Sequence, residues 1–324
     1  MAEDEVTEED TTGSWKSYWE GVSGTQSFAT GGASHPGFAA YWSGAFGEFF
    51  AARPNSKTLD IATGSGAVVA ALSATPGVEL KNVCCVDIAE AAVGGVKKRF
   101  PGVEGVVADA NSIPLEDGSF DLITSQFGIE YAGPGAIDEA ARLLARGGYL
   151  MFLLHINSGA LHHECLAAID ALHRVRESRF FELAGQFFEA GFAAVRGADR
   201  GPYEAAARNL NPVVKEIEAI MTRHGENAAD GTIHYLYSTL QSIHERIQYY
   251  DPDEVLGWLK TSDTEVSKYL KRMKSMSACA LNKGEIEGIR TLMINKGLQP
   301  GQAEPLQFEG DPLPYAWALQ VTTA

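Results

Sequence analysis

Residues 58–69 read TLDIATGSGAVV, and no other stretch restricts the fold of this chain so tightly. An apolar run, Leu59 to Ala62, carries one acid at Asp60 and breaks at Thr63-Gly64-Ser65-Gly66. It resumes as an apolar, helix-prone run from Ala67 to Leu72. The order is strand, glycine turn, helix start. Such a turn lets a ligand approach the backbone closely, and its N–H groups with the helix dipole favour an anionic group. A nucleotide-like cofactor is the first expectation. The dinucleotide fingerprint asks for a third glycine three residues after the second, and that position is Val69.

The segments that follow sharpen the reading. Asn82 to Val86 (NVCCV) predicts a second strand ending at Asp87, about 20 residues past the loop, where a carboxylate can accept both ribose hydroxyls. Val103 to Ala108 predicts a third, ending at Asp109, and Ile113 to Asp121 leads into a fourth, Leu122 to Ser125. Asp60, Asp87 and Asp109 thus stand at or near strand carboxyl ends, where open α/β sheets bind ligands.

On these residues the chain resembles the class I S-adenosylmethionine-dependent methyltransferases over residues 57 to 155. The family's acid-x-Gly-x-Gly-x-Gly motif is matched by Asp60-Ile61-Ala62-Thr63-Gly64-Ser65-Gly66, with Ala62 in the first glycine's place. The resemblance implies that Asp87, followed by Ile88, binds the ribose hydroxyls of S-adenosyl-L-methionine. It implies that Asp109 and Ala110 hold the adenine edge. Pro114 to Leu122 matches the P-L-x-D-x-S-F-D-L stretch, and Ser125-Gln126-Phe127 falls near the methionine end of the cofactor. Gly147 to Phe152 looks like the glycine turn and fifth strand. The implied fold is α/β, a Rossmann-like doubly wound seven-stranded sheet, mostly parallel with an antiparallel last strand.

Composition fits a soluble enzyme. The chain has 324 residues and no apolar run long enough for a spanning helix. Its first ten residues hold six acids and no base, the reverse of a targeting signal, so residues 1–12 are expected to be a disordered acidic tail and the protein cytoplasmic. A formal charge of −16 disfavours nucleic acid and anionic membranes as partners. Cys84, Cys85, Cys165 and Cys279 form no C-x-x-C pair, so no metal is expected. Cys84 and Cys85, adjacent in a strand, should face opposite sides.

Residues 13–55 are expected to form an N-terminal helical lid. Trp15, Tyr18 and Trp19 share one helix face, and so do Tyr41, Trp42, Ala45, Phe46, Phe49 and Phe50. The first group reads either as a lid that brings Trp19 to the cofactor or as a cover of the sheet. The second reads as a cover. The cofactor core spans 56–156. Helical patterns at Leu161–Val175, Phe180–Phe192, Val213–Arg223, Ile233–Tyr250 and Asp253–Lys260 make 157–262 a helical cap insertion, punctuated by Pro202, Pro212 and Pro252. A further helix over Asp263–Asn295 and two strands, Glu304–Glu309 and Tyr315–Thr322, make 263–324 the C-terminal part of the core. The stripe Phe180, Phe181, Leu183, Ala184, Phe187, Phe188 and Phe192 reads as core packing, a pocket wall or a homodimer contact.

Methyl transfer is an in-line displacement governed by proximity and orientation, and it needs a base only where the acceptor must lose a proton. Glu130, Tyr131 and His155 at strand ends and His35 in the glycine-rich loop are candidates, with Tyr18 from the lid; His155 reads equally as a hydrogen-bonded histidine at a strand end, and Glu130 as a cap of the following helix or a solvated acid. His162-His163-Glu164 has the residue types of a metal cluster, but adjacent histidines on a helix face different ways, so no metal is expected there. The leading expectation is methyl transfer to an O, N, S or C atom of a small-molecule acceptor. The alternatives are a methyltransferase acting on a peptide or RNA, and a non-catalytic or nicotinamide-binding Rossmann protein.

Overall fold

The computed structural model describes residues 35–323, and the lid residues Trp15, Tyr18 and Trp19 lie outside that range. Parallel strands β1 (Thr58–Ile61), β2 (Val83–Asp87), β3 (Glu104–Val107), β4 (Phe120–Gln126) and β5 (Leu144–His155) are followed by β6 (Leu298–Pro300), β7 (Glu304–Leu306) and β8 (Ala316–Thr323). The sheet order is β3-β2-β1-β4-β5-β8-β6, with β7 also on β8, and β8 runs antiparallel to β5. Every residue of β1 and β2 is buried, as befits strands covered on both faces.

The helices are α1 (Pro36–Ala52), α2 (Ala67–Ser73), α3 (Glu90–Arg99), α4 (Pro134–Leu143), α5 (Ala160–Glu177), α6 (Phe180–Val195), α7 (Gly201–His224), α8 (Thr232–Glu245), α9 (Pro252–Cys279) and α10 (Lys283–Asn295). On one face of the sheet, Trp42 and Phe46 of α1, Val69 and Leu72 of α2 and Val96 of α3 pack with Cys85, Leu122 and Leu153. On the other, Ile137 and Ala140 of α4 and Ile286 and Met293 of α10 pack with Leu59, Cys84, Ile123 and Phe152. Cys84 and Cys85 therefore face opposite sides, as strand alternation dictates.

The described residues divide into two compact units, 35–163 with 275–323, and 164–274. The second unit is helical. Its core includes Phe180, Ala184, Phe187, Phe188 and Phe192 on α6, so five of the seven stripe residues are spent on the unit's own packing. Phe187 lies against Tyr203 and His244, at 5.3 and 5.1 Å between ring centroids.

Several expected boundaries are corrected. Instead of breaking at residues 261–262, α9 runs through: Thr264 Oγ1 and Ser267 Oγ donate to the carbonyls of Lys260 and Asp263, so residues that resemble a helix start are absorbed inside one. The true break is at Asn282, whose side chain accepts from Gly284 N and Glu285 N while Glu285 accepts from Asn282 N, a complete capping box. Likewise α7 begins at Gly201 instead of Val213 and contains Pro212. Eight strands replace the expected seven because Leu298–Pro300 pairs with one end of β8 and Glu304–Leu306 with the other. They form one edge strand interrupted at residues 301–303.

Candidate functional site

Strand order reverses between β1 and β4, the place where an open α/β sheet leaves a crevice at its carboxyl edge. The turn after β1 lies there. Its backbone is left-handed at Ala62 (φ 55°), Gly64 (φ 50°) and Gly66 (φ 77°). A Cβ on Gly66 would sit 2.8 Å from Val96 Cγ2, so this position admits glycine for both space and conformation. Ala62, standing where the family motif has glycine, takes room elsewhere. A Cβ on Gly128 would meet the Ala62 methyl at 2.4 Å, so the alanine is accommodated by a glycine across the crevice.

Two buried carboxylates hold the turn. Asp60 accepts from Thr63 Oγ1 at 2.6 Å and from Thr124 Oγ1 at 3.0 Å. Burial pushes its carboxyl up to about 7, against the lowering effect of both hydroxyls. Asp87 accepts from Gly64 N and from Ala89 N, each at 2.9 Å. Burial raises its carboxyl too, opposed by the N–H groups of Ala89, Gly64 and Ile88. Each carboxylate oxygen has a second lone-pair direction, so Asp87 can still accept from a diol.

Asp109, past the end of β3, is exposed and accepts from Asn111 N at 2.8 Å and Asn111 Nδ2 at 3.0 Å, which fixes its turn. Ala110 beside it is half-buried. At the end of β4, Gln126 Oε1 accepts from Trp42 Nε1 at 2.6 Å, which fixes the orientation of its amide. The loop from Ile113 to Asp117 is clamped by Arg142, which donates to the carbonyls of Ile113 and Leu115 and to Asp117 and Glu139. Trp42 does not stand out in the sequence as belonging to this edge, because it reaches it through a tertiary contact.

The candidate bases separate. Glu130, in the short turn Ile129–Ala132, and His155, the last residue of β5, come together: Glu130 Oε1 lies 2.8 Å from His155 Nδ1 and accepts from His155 N at 2.9 Å. Phe127 and Tyr131 flank the imidazole at 4.5 and 5.6 Å between centroids. His35 is not free to act as a base. Its Nδ1 accepts from Gly37 N and caps α1, its Nε2 is 3.4 Å from Asp311, and its ring stacks on Phe308. His162 accepts from Ser158 N and pairs with Ser277 Oγ. Among the described residues no group of three or more His, Cys, Asp or Glu is placed to hold a metal ion. Nor is any of their helices long and apolar enough to cross a membrane.

The glycine cradle and the pinned Asp87 fit an adenosyl cofactor with a ribose diol. A family profile described as "Methyltransferase domain" matches residues 59–152. This stretch, β1 through most of β5, is thus similar to a methyltransferase domain.

Among curated proteins, the chain is 36% identical over 112 residues to a demethylmenaquinone methyltransferase of Beutenbergia cavernae, covering 34% of this chain and 45% of that one. It is 28% identical over 204 residues to a ubiquinone/menaquinone biosynthesis C-methyltransferase of a Shewanella species, covering 60% and 76%. The chain thus spans about half the length of the first of these relatives. Among solved structures, an N-methyltransferase of Bradyrhizobium japonicum in complex with S-adenosyl-L-homocysteine is similar at 17% identity, covering 45% of this chain and 75% of that one, with a TM-score of 0.37.

Proposed function

We propose that the protein transfers a methyl group from S-adenosyl-L-methionine to an O, N, S or C atom of a small-molecule acceptor. The observation that carries this reading is Asp87, buried at the end of β2 and fixed by Gly64 N in the turn after β1. One carboxylate thereby links the cradle to the strand end where a ribose would lie. When bound, the cofactor supplies an electrophilic methyl on a sulfonium. In this reading Asp87 accepts from the ribose hydroxyls. The turn from Ala62 to Gly66 gives the methionine portion room, and Asp109 with Ala110 borders the adenine. The relatives named as quinone-pathway methyltransferases support a small acceptor over a peptide or RNA.

Calorimetry with S-adenosylhomocysteine and, separately, a nicotinamide dinucleotide tests the cofactor. We expect binding of the first only. Incubation with methyl-labelled cofactor and a metabolite extract, followed by separation by size, tests the acceptor. Label confined to macromolecules would reverse the assignment.

A further inference from the structure

Within the first unit, two adjoining buried side chains each keep one polar atom without a hydrogen-bond partner: His155 Nε2 and Glu130 Oε2. Their side chains are 3% and 2% exposed. Glu130 Oε1 accepts from the backbone N–H of His155, which can only donate, and the same oxygen faces Nδ1. A ring hydrogen on Nδ1 meets that oxygen, and in this tautomer the imidazole presents its lone pair at Nε2. A histidine that merely fastened a turn to a strand would have its second nitrogen satisfied, because buried polar atoms left without partners are costly. Nε2 and Oε2 are both acceptors, and they ask for a ligand that brings a donor.

His155 closes β5, two strands from the turn after β1 and on the same carboxyl edge of the sheet. Phe127 and Tyr131 give the imidazole aromatic neighbours. We propose that His155 Nε2 is the general base of the reaction, that Glu130 is the residue positioning it, and that the acceptor is an acidic hydroxyl compound of the phenol type. This deepens, and rests on, the methyltransferase reading above. A neutral amine already offers its lone pair and needs no base, and an aliphatic alcohol is too weak an acid for an imidazole to assist efficiently. The acceptor O–H proton passes to Nε2. An oxygen–carbon bond forms to the methyl as the carbon–sulfur bond breaks, and sulfur keeps that electron pair. The products are a methyl ether, S-adenosylhomocysteine and an imidazolium that releases its proton to water.

The test uses the full chain saturated with S-adenosylhomocysteine and titrated with 4-nitrophenol, at a pH below the probe's own ionisation. Wild type should bind the probe as phenolate, seen as its long-wavelength absorption band. His155→Gln should keep its S-adenosylhomocysteine affinity and lose the band. Glu130→Gln, whose amide oxygen still accepts from both N–H groups, should keep most of the band, whereas Glu130→Leu should lose it. In turnover of a series of substituted phenols, His155→Gln should lower kcat by about 10²–10⁴-fold with KM little changed. That penalty should shrink as the acceptor hydroxyl becomes more acidic. If wild type binds S-adenosylhomocysteine but shows no phenolate band, or the band survives in His155→Gln, the base assignment is overturned alone. If S-adenosylhomocysteine itself does not bind, the methyltransferase reading falls with it.

Discussion

The two units treat polar groups in opposite ways. The described residues include ten buried polar or charged ones: Ser56, Thr58, Asp60, Thr63, Thr75, Asp87, Thr124, Ser125, His155 and Ser275. All ten belong to the first unit. The helical unit keeps its charges at the surface. There Arg174 contacts Asp170 and Glu216, and His224 contacts Asp170, with three of those four side chains at least a third exposed. Burying a polar group is costly unless its partners are supplied, so a fold keeps such groups where they serve more than packing. Exposed ion pairs contribute little. The contrast teaches that the helical unit is held by apolar fit, while the sheet edge gives up some stability for chemistry.

Breaking the apolar fit should have the largest effect on stability. Phe188 is fully buried in the helical unit, and Phe188→Ala should cost about 3–5 kcal/mol of stability in denaturant titration. Its S-adenosylhomocysteine affinity, measured on the folded protein, should stay unchanged. A large loss of affinity would contradict the division of labour between the units.

Next comes Asp60. Its carboxyl is raised from an ordinary value near 4 to about 7, so the folded state holds a proton that the unfolded chain releases. This contribution is complete at acidic pH and is lost as pH rises from about 4 to about 7. Asp60→Asn mimics the protonated form. The variant should gain on wild type across that window, by up to about 4 kcal/mol. Melting curves at several pH values check this, and parallel pH profiles for the two proteins would refute it.

Smaller again, Asp87→Ala should weaken S-adenosylhomocysteine binding by about 1.5–3 kcal/mol in calorimetry, since a diol would lose its charged acceptor. Unchanged affinity would place the ribose elsewhere. Smallest of all, Arg174→Ala should leave the thermal midpoint of the helical unit essentially unchanged. A clear drop would mean that the surface network of this unit is more than decoration.

Much of the first unit was legible because its chemistry is local. The sequence from Thr58 to Leu72 shows strand, turn and helix directly, and Asp87 stands at the end of a short apolar run. What escaped depends on contacts distant in sequence. Glu130 and His155 are separately visible as polar residues at strand ends, but their pairing across 25 residues needs β4 and β5 side by side. Gln126 looks free in sequence, yet Trp42, 84 residues earlier, occupies its carbonyl oxygen. In the helical unit, apolar periodicity located the helices but misjudged their ends. Proline at the first turn and proline inside a helix read alike, and serine and threonine can bond back within a helix as readily as cap one.

The split edge of the sheet also bears on how the protein behaves in crowded solution. An uninterrupted edge strand is a template on which a foreign strand can continue the ladder. Here the edge is two three-residue pieces, one ending in Pro300 and the other centred on Pro305, and neither proline has an N–H to offer. An incoming chain would find a gap and two missing donors within a few residues. The same interruption that hid a strand from sequence reading thus guards that margin of the sheet against recruitment into fibrils.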